Sequence, residues 1–119
     1  AVTVLTSMDQ KTLEEIGVSR NLDEQVLQLA KLTEKSGLQG VVCSAKDLGF
    51  LKDKFNSSFL FVTPGIRMTD DVANDQVRTM TPLEAIKAGS NHLVIGRPIT
   101  QSKNPSKTLE KIYLEINQG

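Results

Sequence analysis

The chain has 119 residues, enough for one hydrophobic core and too few for two. Fourteen lysines and arginines balance fourteen aspartates and glutamates, so no net charge draws it toward nucleic acid or an anionic membrane. The single cysteine, Cys43, excludes an internal disulfide and any multi-cysteine metal site, and no apolar run approaches the roughly 18 residues of a membrane span.

In chain order, "AVTVLT" opens as a strand of apolar and β-branched residues, with neither a leader nor a helix cap before it. The absence of a basic, apolar leader agrees with a soluble, cytoplasmic protein. Asp9–Ile16 reads as a short helix stopped by a glycine. A longer amphipathic helix follows behind an Asn21 cap, with Leu22, Val26, Leu29, Ala30 and Thr33 on one face and Gly37 beyond its end. Gly40–Ser44, "GVVCS", is apolar almost throughout, the pattern of a strand buried on both faces. A helix to about Phe55, a strand Phe59–Val62 and a loop Thr63–Thr79 come next. Thr81 and Pro82 start a helix that Gly89 closes, "HLVIG" supplies a fourth strand, and a final helix begins at Asn104 and Pro105. Leu109, Ile112 and Ile116 recur along that last helix at helical spacing. Four strands alternating with helices predict right-handed βαβ units on a parallel sheet, in one domain spanning residues 1–119.

Ligands of parallel α/β proteins gather beyond the C-terminal strand ends. Two of those ends read alike, "FLFVTPGIR" and "HLVIGRPIT", and each places a glycine within two residues of an arginine. Glycine admits close backbone approach, and the planar guanidinium fork matches phosphate oxygens. Gly96 with Arg97, and Arg67 with the polar loop through Gln76, are therefore candidates for a phosphate cradle. Glycine and arginine after a strand also occur in ordinary turns, so both readings stand at this level. Asp9, Lys11 and Glu14 fit a solvated helix face better than a catalytic group. His92 reads as a surface histidine at the opposite end of the sheet, and Cys43 as a small buried thiol. Asp70, Asp71 and Asp75 lack the spacing of a calcium loop.

"VTVLTSM", "GVVCSA", "VTPGIR", "DQVRTMTP" and "LVIGRPIT", in this order, resemble the C-terminal half of bacterial orotidine 5′-phosphate decarboxylase. The resemblance runs over essentially the whole chain. It implies an α/β fold of the ribulose-phosphate-binding (β/α)₈ TIM barrel type, with this chain supplying strands five to eight, a half-barrel. By the same resemblance Thr6 would sit by the pyrimidine, while Arg67, Gln76, Gly96 and Arg97 would hold the 5′-phosphate under a lid formed by residues 64–76. The implied enzyme is a cofactor-free lyase, without metal, that converts orotidine 5′-monophosphate to UMP in pyrimidine biosynthesis. Its partners would be that nucleotide, the missing N-terminal half and a homodimer mate. The family's Asp-x-Lys-x-x-Asp motif and its further lysine are absent, and Asp9-x-Lys11-x-x-Glu14 is only a look-alike. No catalytic residue is therefore expected in this chain, and the alternative is a non-catalytic phosphate-binding half-barrel.

Overall fold

A computed structural model of the protein describes residues 1–68 and 79–118. Its helices are α1 (Gln10–Glu15), α2 (Leu22–Lys35), α3 (Leu48–Leu51), α4 (Pro82–Ala88), α5 (Arg97–Thr100) and α6 (Pro105–Asn117). Strands β1 (Gly40–Val42), β2 (Leu60–Thr63) and β3 (His92–Leu93) form one sheet in chain order, parallel throughout. Within it Val41 lies opposite Phe61, and Val62 opposite His92. The βαβ alternation expected from the sequence is thus observed, with every strand beside its predecessor.

The first expected strand is reduced to a bridge. Val2 pairs in parallel with Val42, through Val42 N–H to the Ala1 carbonyl at 2.7 Å and Thr3 N–H to the Val42 carbonyl at 3.0 Å. A turn closed by Met8 N–H on the Leu5 carbonyl ends the extended stretch at once. The helix expected after Ser44 is broken into a 3₁₀ turn at Ala45–Asp47, α3, and a second 3₁₀ turn at Lys52–Lys54. Gly49, a poor helix former, sits inside that run. A one-turn helix, α5, had no counterpart in the sequence reading. The Gly96 carbonyl accepts from the N–H groups of both Ile99 and Thr100 there, and Pro98 lies in the first turn.

One face of the sheet carries the core. Side chains alternate along a strand, so Val41, Cys43, Phe59 and Phe61 point together toward Val26 and Ala30 of α2 and Leu48 and Leu51 of α3. Phe55 stacks on Phe59 with ring centroids 4.5 Å apart, Phe61 meets Phe59 edge-on at 5.6 Å, and the Lys31 ammonium lies 4.2 Å from the Phe55 centroid. Burying such rings removes 150–250 Å² each from water, about 25 cal/mol for every apolar Å².

Helix starts are fixed by side chains. Asn21 Oδ1 accepts from Glu24 N–H at 2.9 Å, and Asn104 Oδ1 from Lys107 N–H at 3.1 Å. At α4 the capping is reciprocal, with Glu84 N–H donating to the Thr81 hydroxyl at 3.3 Å and Thr81 N–H to the Glu84 carboxylate at 2.9 Å. Thr81→Ala should lower stability by about 1 kcal/mol, read as a shift in the urea midpoint at constant slope. The Thr81 N–H, and secondarily its hydroxyl, hold the Glu84 carboxyl below its ordinary pKa. The folded value being the lower one, this contribution is complete above the ordinary glutamate range near pH ~4.3 and is lost as pH falls through the folded value.

Candidate functional site

The C-terminal strand ends lie side by side. Val94 N–H donates to the Thr63 carbonyl at 3.0 Å, so the segments leaving β2 and β3 start as neighbours. A second tie runs beneath them, where the buried Thr63 and Ser90 hydroxyls are 2.7 Å apart and Ser90 also donates to the His92 carbonyl at 3.1 Å. Asn91 adds a third, its Oδ1 accepting from Phe61 N–H at 2.8 Å while its own N–H donates to the Phe61 carbonyl at 2.9 Å. Sequence reasoning passed over these groups. Their signal was the Ser-Asn pair directly before "HLVIG", small polar residues able to bond backbone where a strand begins.

Beyond Thr63 the chain turns at Gly65, whose φ of +74° is a backbone conformation that glycine adopts without strain. Ile66 then pairs in parallel with Met80, with Arg67 N–H donating to the Met80 carbonyl at 3.0 Å and Met80 N–H to the Gly65 carbonyl at 3.4 Å. The base of the expected lid is therefore a clasp that sets where the Arg67 side chain begins. Gln76, Asp70, Asp71 and Asp75 lie outside the described residues, as does most of the segment 64–76.

Arg67 is only 7% exposed. Its Nη1 donates to the Ile66 carbonyl at 2.8 Å, whereas Nε and Nη2 are buried with no hydrogen-bond partner among the described residues. Burying an ionised donor without a partner is costly. A guanidinium fork presents parallel N–H groups that match an acceptor with more than one oxygen.

Thr6, 6% exposed, lines a cavity of about 230 Å³ at the same end of the sheet. Its other walls are Val2, Val4, Leu5, Ser7, Val42, Cys43 and Pro64. The structure thus brings Thr6 together with Pro64, the residue that opens the Arg67 segment. Cys43, read as a core thiol, is buried at 1% exposure and also forms part of this wall. Gly96 and Arg97 stand one strand over, at the start of α5, and do not line the cavity. A Cβ on Gly96 would meet nothing within 4 Å, so the space above this backbone is open.

The remaining candidates are surface features. Asp9 caps α1, and the Thr12 N–H and then its hydroxyl, both at 2.9 Å, hold the Asp9 carboxyl below its ordinary pKa. Lys11, its side chain 83% exposed, pairs at 3.9 Å with Glu15, and Glu14 accepts from Gln10 at 3.0 Å. His92 is exposed at the start of β3. Among the described residues no group of three histidine, cysteine or acidic side chains is placed to hold a metal, and no helix is long and apolar enough to cross a membrane.

Comparison with known proteins bears on this arrangement. The protein is 54% identical to orotidine 5′-phosphate decarboxylase of Photobacterium profundum over 119 residues, all of this chain and 50% of that one. It is 49% identical over 118 residues to the enzyme of that name from Idiomarina loihiensis, covering 99% of this chain and 51% of the relative. The chain spans about half the length of the curated relatives it matches, as their C-terminal half. Among solved structures, orotidine 5′-phosphate decarboxylase from Lactobacillus acidophilus superposes with a TM-score of 0.80 at 39% identity, over 98% of this chain and 48% of that one. The enzyme of that name from Pyrococcus horikoshii shares the fold, at TM-score 0.65 and 20% identity. The family model "Orotidine 5'-phosphate decarboxylase / HUMPS family" matches residues 1–112. With parallel strands in chain order and a matching sequence from the first strand to the last helix, this chain belongs to the orotidine 5′-phosphate decarboxylase / HUMPS family.

Proposed function

We propose that this chain is the phosphate-gripping part of an orotidine 5′-monophosphate decarboxylase, supplying the last four strands of its barrel. One observation carries the reading: a buried arginine, Arg67, with two guanidinium nitrogens that have no partner among the described residues, beside the strand ends. In this reading Arg67 and Gln76 hold the 5′-phosphate from one strand end, Gly96 and Arg97 hold it from the next, and the segment 64–76 closes over it. Thr6, in the cavity of about 230 Å³, contacts the pyrimidine.

The reaction breaks the bond from C6 of the pyrimidine to its carboxylate, releases carbon dioxide and delivers a proton to C6. The lysine and aspartates that the family uses for this lie outside the present sequence, and the exposed Lys11 is no substitute. The contribution assigned here is binding energy at a remote, non-reacting group, which a complete enzyme uses to close its lid and lower the barrier at the reacting carbon. No cofactor takes part in this scheme.

The test compares the chain alone with the chain supplied with the remaining half of a relative. Calorimetry should show UMP binding by the chain alone with no decarboxylation of orotidine 5′-monophosphate, and turnover should appear only with the second half present. Failure to bind either UMP or inorganic phosphate would remove the phosphate assignment. Turnover by the chain alone would remove the division of labour.

A further inference from the structure

The strand that leads to Gly96 and Arg97 is short. β3 is only His92–Leu93, so its backbone ladder to β2 offers few hydrogen bonds to fix its register. Side chains just ahead of it complete the hold. Asn91 Oδ1 accepts from Phe61 N–H at 2.8 Å while Asn91 N–H donates to the Phe61 carbonyl at 2.9 Å, so one residue engages both backbone groups of Phe61. Ser90 Oγ lies 2.7 Å from Thr63 Oγ1 and 3.1 Å from the His92 carbonyl oxygen. A carbonyl only accepts, and a serine hydroxyl has one proton to give. Ser90 therefore donates to His92, and the proton between the two hydroxyls belongs to Thr63.

A directed chain of hydrogen bonds thus crosses from β2 to β3. It is buried, with Thr63 0% and Ser90 8% exposed, where leaving either hydroxyl unpaired is costly. In the register it accompanies, Val62 lies opposite His92 and Thr63 opposite Leu93. Arg67 and Arg97 then follow at the same interval past the Thr63–Leu93 pair. A slip of one residue would carry one arginine segment about 3.3 Å along the sheet relative to the other and turn its side chains to the opposite face. Replacing both hydroxyls by apolar groups of the same shape is nearly neutral for stability, so stability alone does not call for this pair.

We infer that Thr63 and Ser90 are positioning residues for the proposed phosphate grip, their hydroxyl pair holding the Arg67 segment and the Gly96–Arg97 segment at the separation that one phosphate spans. Backbone contacts carry this setting outward on both sides. Beyond β2, Gly65 turns the chain and Ile66 pairs with Met80, which fixes the root of Arg67. Beyond β3, Val94 N–H donates to the Thr63 carbonyl at 3.0 Å and the Gly96 carbonyl accepts from Ile99 and Thr100, which fixes the root of Arg97. Thr63 serves both segments. Its carbonyl holds the start of the second, and its hydroxyl reaches the residue that leads into β3. Neither hydroxyl is assigned a contact with the anion. The inference rests on the phosphate reading given above and adds to it the residues that set the geometry from behind.

Calorimetry on the full chain with inorganic phosphate and with UMP tests this. The double variant Thr63→Val/Ser90→Ala removes both hydroxyls at nearly constant shape, so its urea midpoint should stay near that of the wild type. Its dissociation constants for phosphate and UMP should nonetheless rise about tenfold, the lower end of what losing an outer supporting hydrogen bond costs at metal sites. Each single variant should show the same loss as the pair, since either one breaks the chain of hydrogen bonds. Thr63→Ser separates positioning from packing. It keeps the hydroxyl and loses a buried methyl, so it should lower the midpoint yet bind phosphate as the wild type does. If the double variant unfolds, retained affinity in Thr63→Ser beside lost affinity in Thr63→Val supports the inference by itself. Wild-type affinity in a folded double variant overturns the inference and leaves the phosphate reading standing. Affinity that merely follows the midpoint across the series overturns it as well, and makes the pair structural. A wild-type chain that binds neither phosphate nor UMP overturns the phosphate reading and the inference together.

Discussion

Replacing Arg67 with methionine is expected to abolish stabilisation by phosphate while leaving the unliganded fold at least as stable as before. In the wild-type chain, inorganic phosphate or UMP at a hundred times its dissociation constant adds about 2.7 kcal/mol, roughly 10 °C in thermal midpoint for a domain of this size. In the variant that shift should vanish. Nε and Nη2, which have no partner among the described residues, are the groups that an anion would satisfy. Charge-assisted hydrogen bonds contribute about 1.5–3 kcal/mol each, so losing both corresponds to roughly a thousandfold in affinity. The unliganded chain, by contrast, is relieved of a buried charge that has no ion pair among the described residues, and methionine fills similar volume with a flexible apolar chain. Arg67→Lys should respond weakly, since an ammonium keeps the charge without the fork. Thermal scans across a phosphate titration decide the matter. An unchanged shift in Arg67→Met would move the anion site elsewhere.

Gly40→Ala should be among the most damaging single-methyl additions available to this chain, at about 3 kcal/mol. An added Cβ would stand 2.3 Å from the Leu60 carbonyl oxygen and 2.9 Å from the carbonyl carbon. Those atoms are backbone of β2 and cannot rotate aside, so the strands must part where Leu60 N–H reaches the Gln39 carbonyl at 2.9 Å. The whole sheet hangs on that pairing, since β1 links the Ala1–Thr3 segment to β2 and β2 in turn holds β3. Gly49→Ala serves as the control. A Cβ there meets nothing within 4 Å, and alanine is the better helix former by about 1 kcal/mol. Urea midpoints should therefore move in opposite directions. Equal midpoints for the two variants would mean that β1 and β2 adjust freely at this level.

The parts of the fold legible from sequence were those set by local chemistry. Asn21, Thr81 and Asn104 were readable as helix starts because a capping side chain acts within three residues of itself. The boundaries of β1 and β2 came within two residues, because short apolar runs bounded by glycine, serine, asparagine or proline leave few choices. Less legible was whatever distant residues decide. "AVTVLT" has the composition of a full strand, yet only Val2 finds a pairing partner before the Leu5–Met8 turn. The one-turn helix α5 depends on where the Gly96 carbonyl points, which composition does not encode. At the site, Arg67 stood out by residue type, but its burial, with Nε and Nη2 unpartnered among the described residues, depends on the placement that the Ile66–Met80 bridge gives it. Cys43 reached the cavity wall because the sheet sets it near Thr6, a neighbour far away in sequence.

Strand pairing strictly between chain neighbours has a kinetic meaning too. Within the sheet each strand pairs with its neighbour in the chain, β1 with β2 and β2 with β3, so neither pairing waits for a more remote strand to arrive. Loops that close over short separations cost little entropy and form early. A polypeptide leaving the ribosome can therefore lay down the Ala1–Thr3 segment, α2 and β1 as one packed unit before β3 has been synthesised. The growing edge of that nascent sheet is then, at each moment, the place where the next strand to emerge must dock.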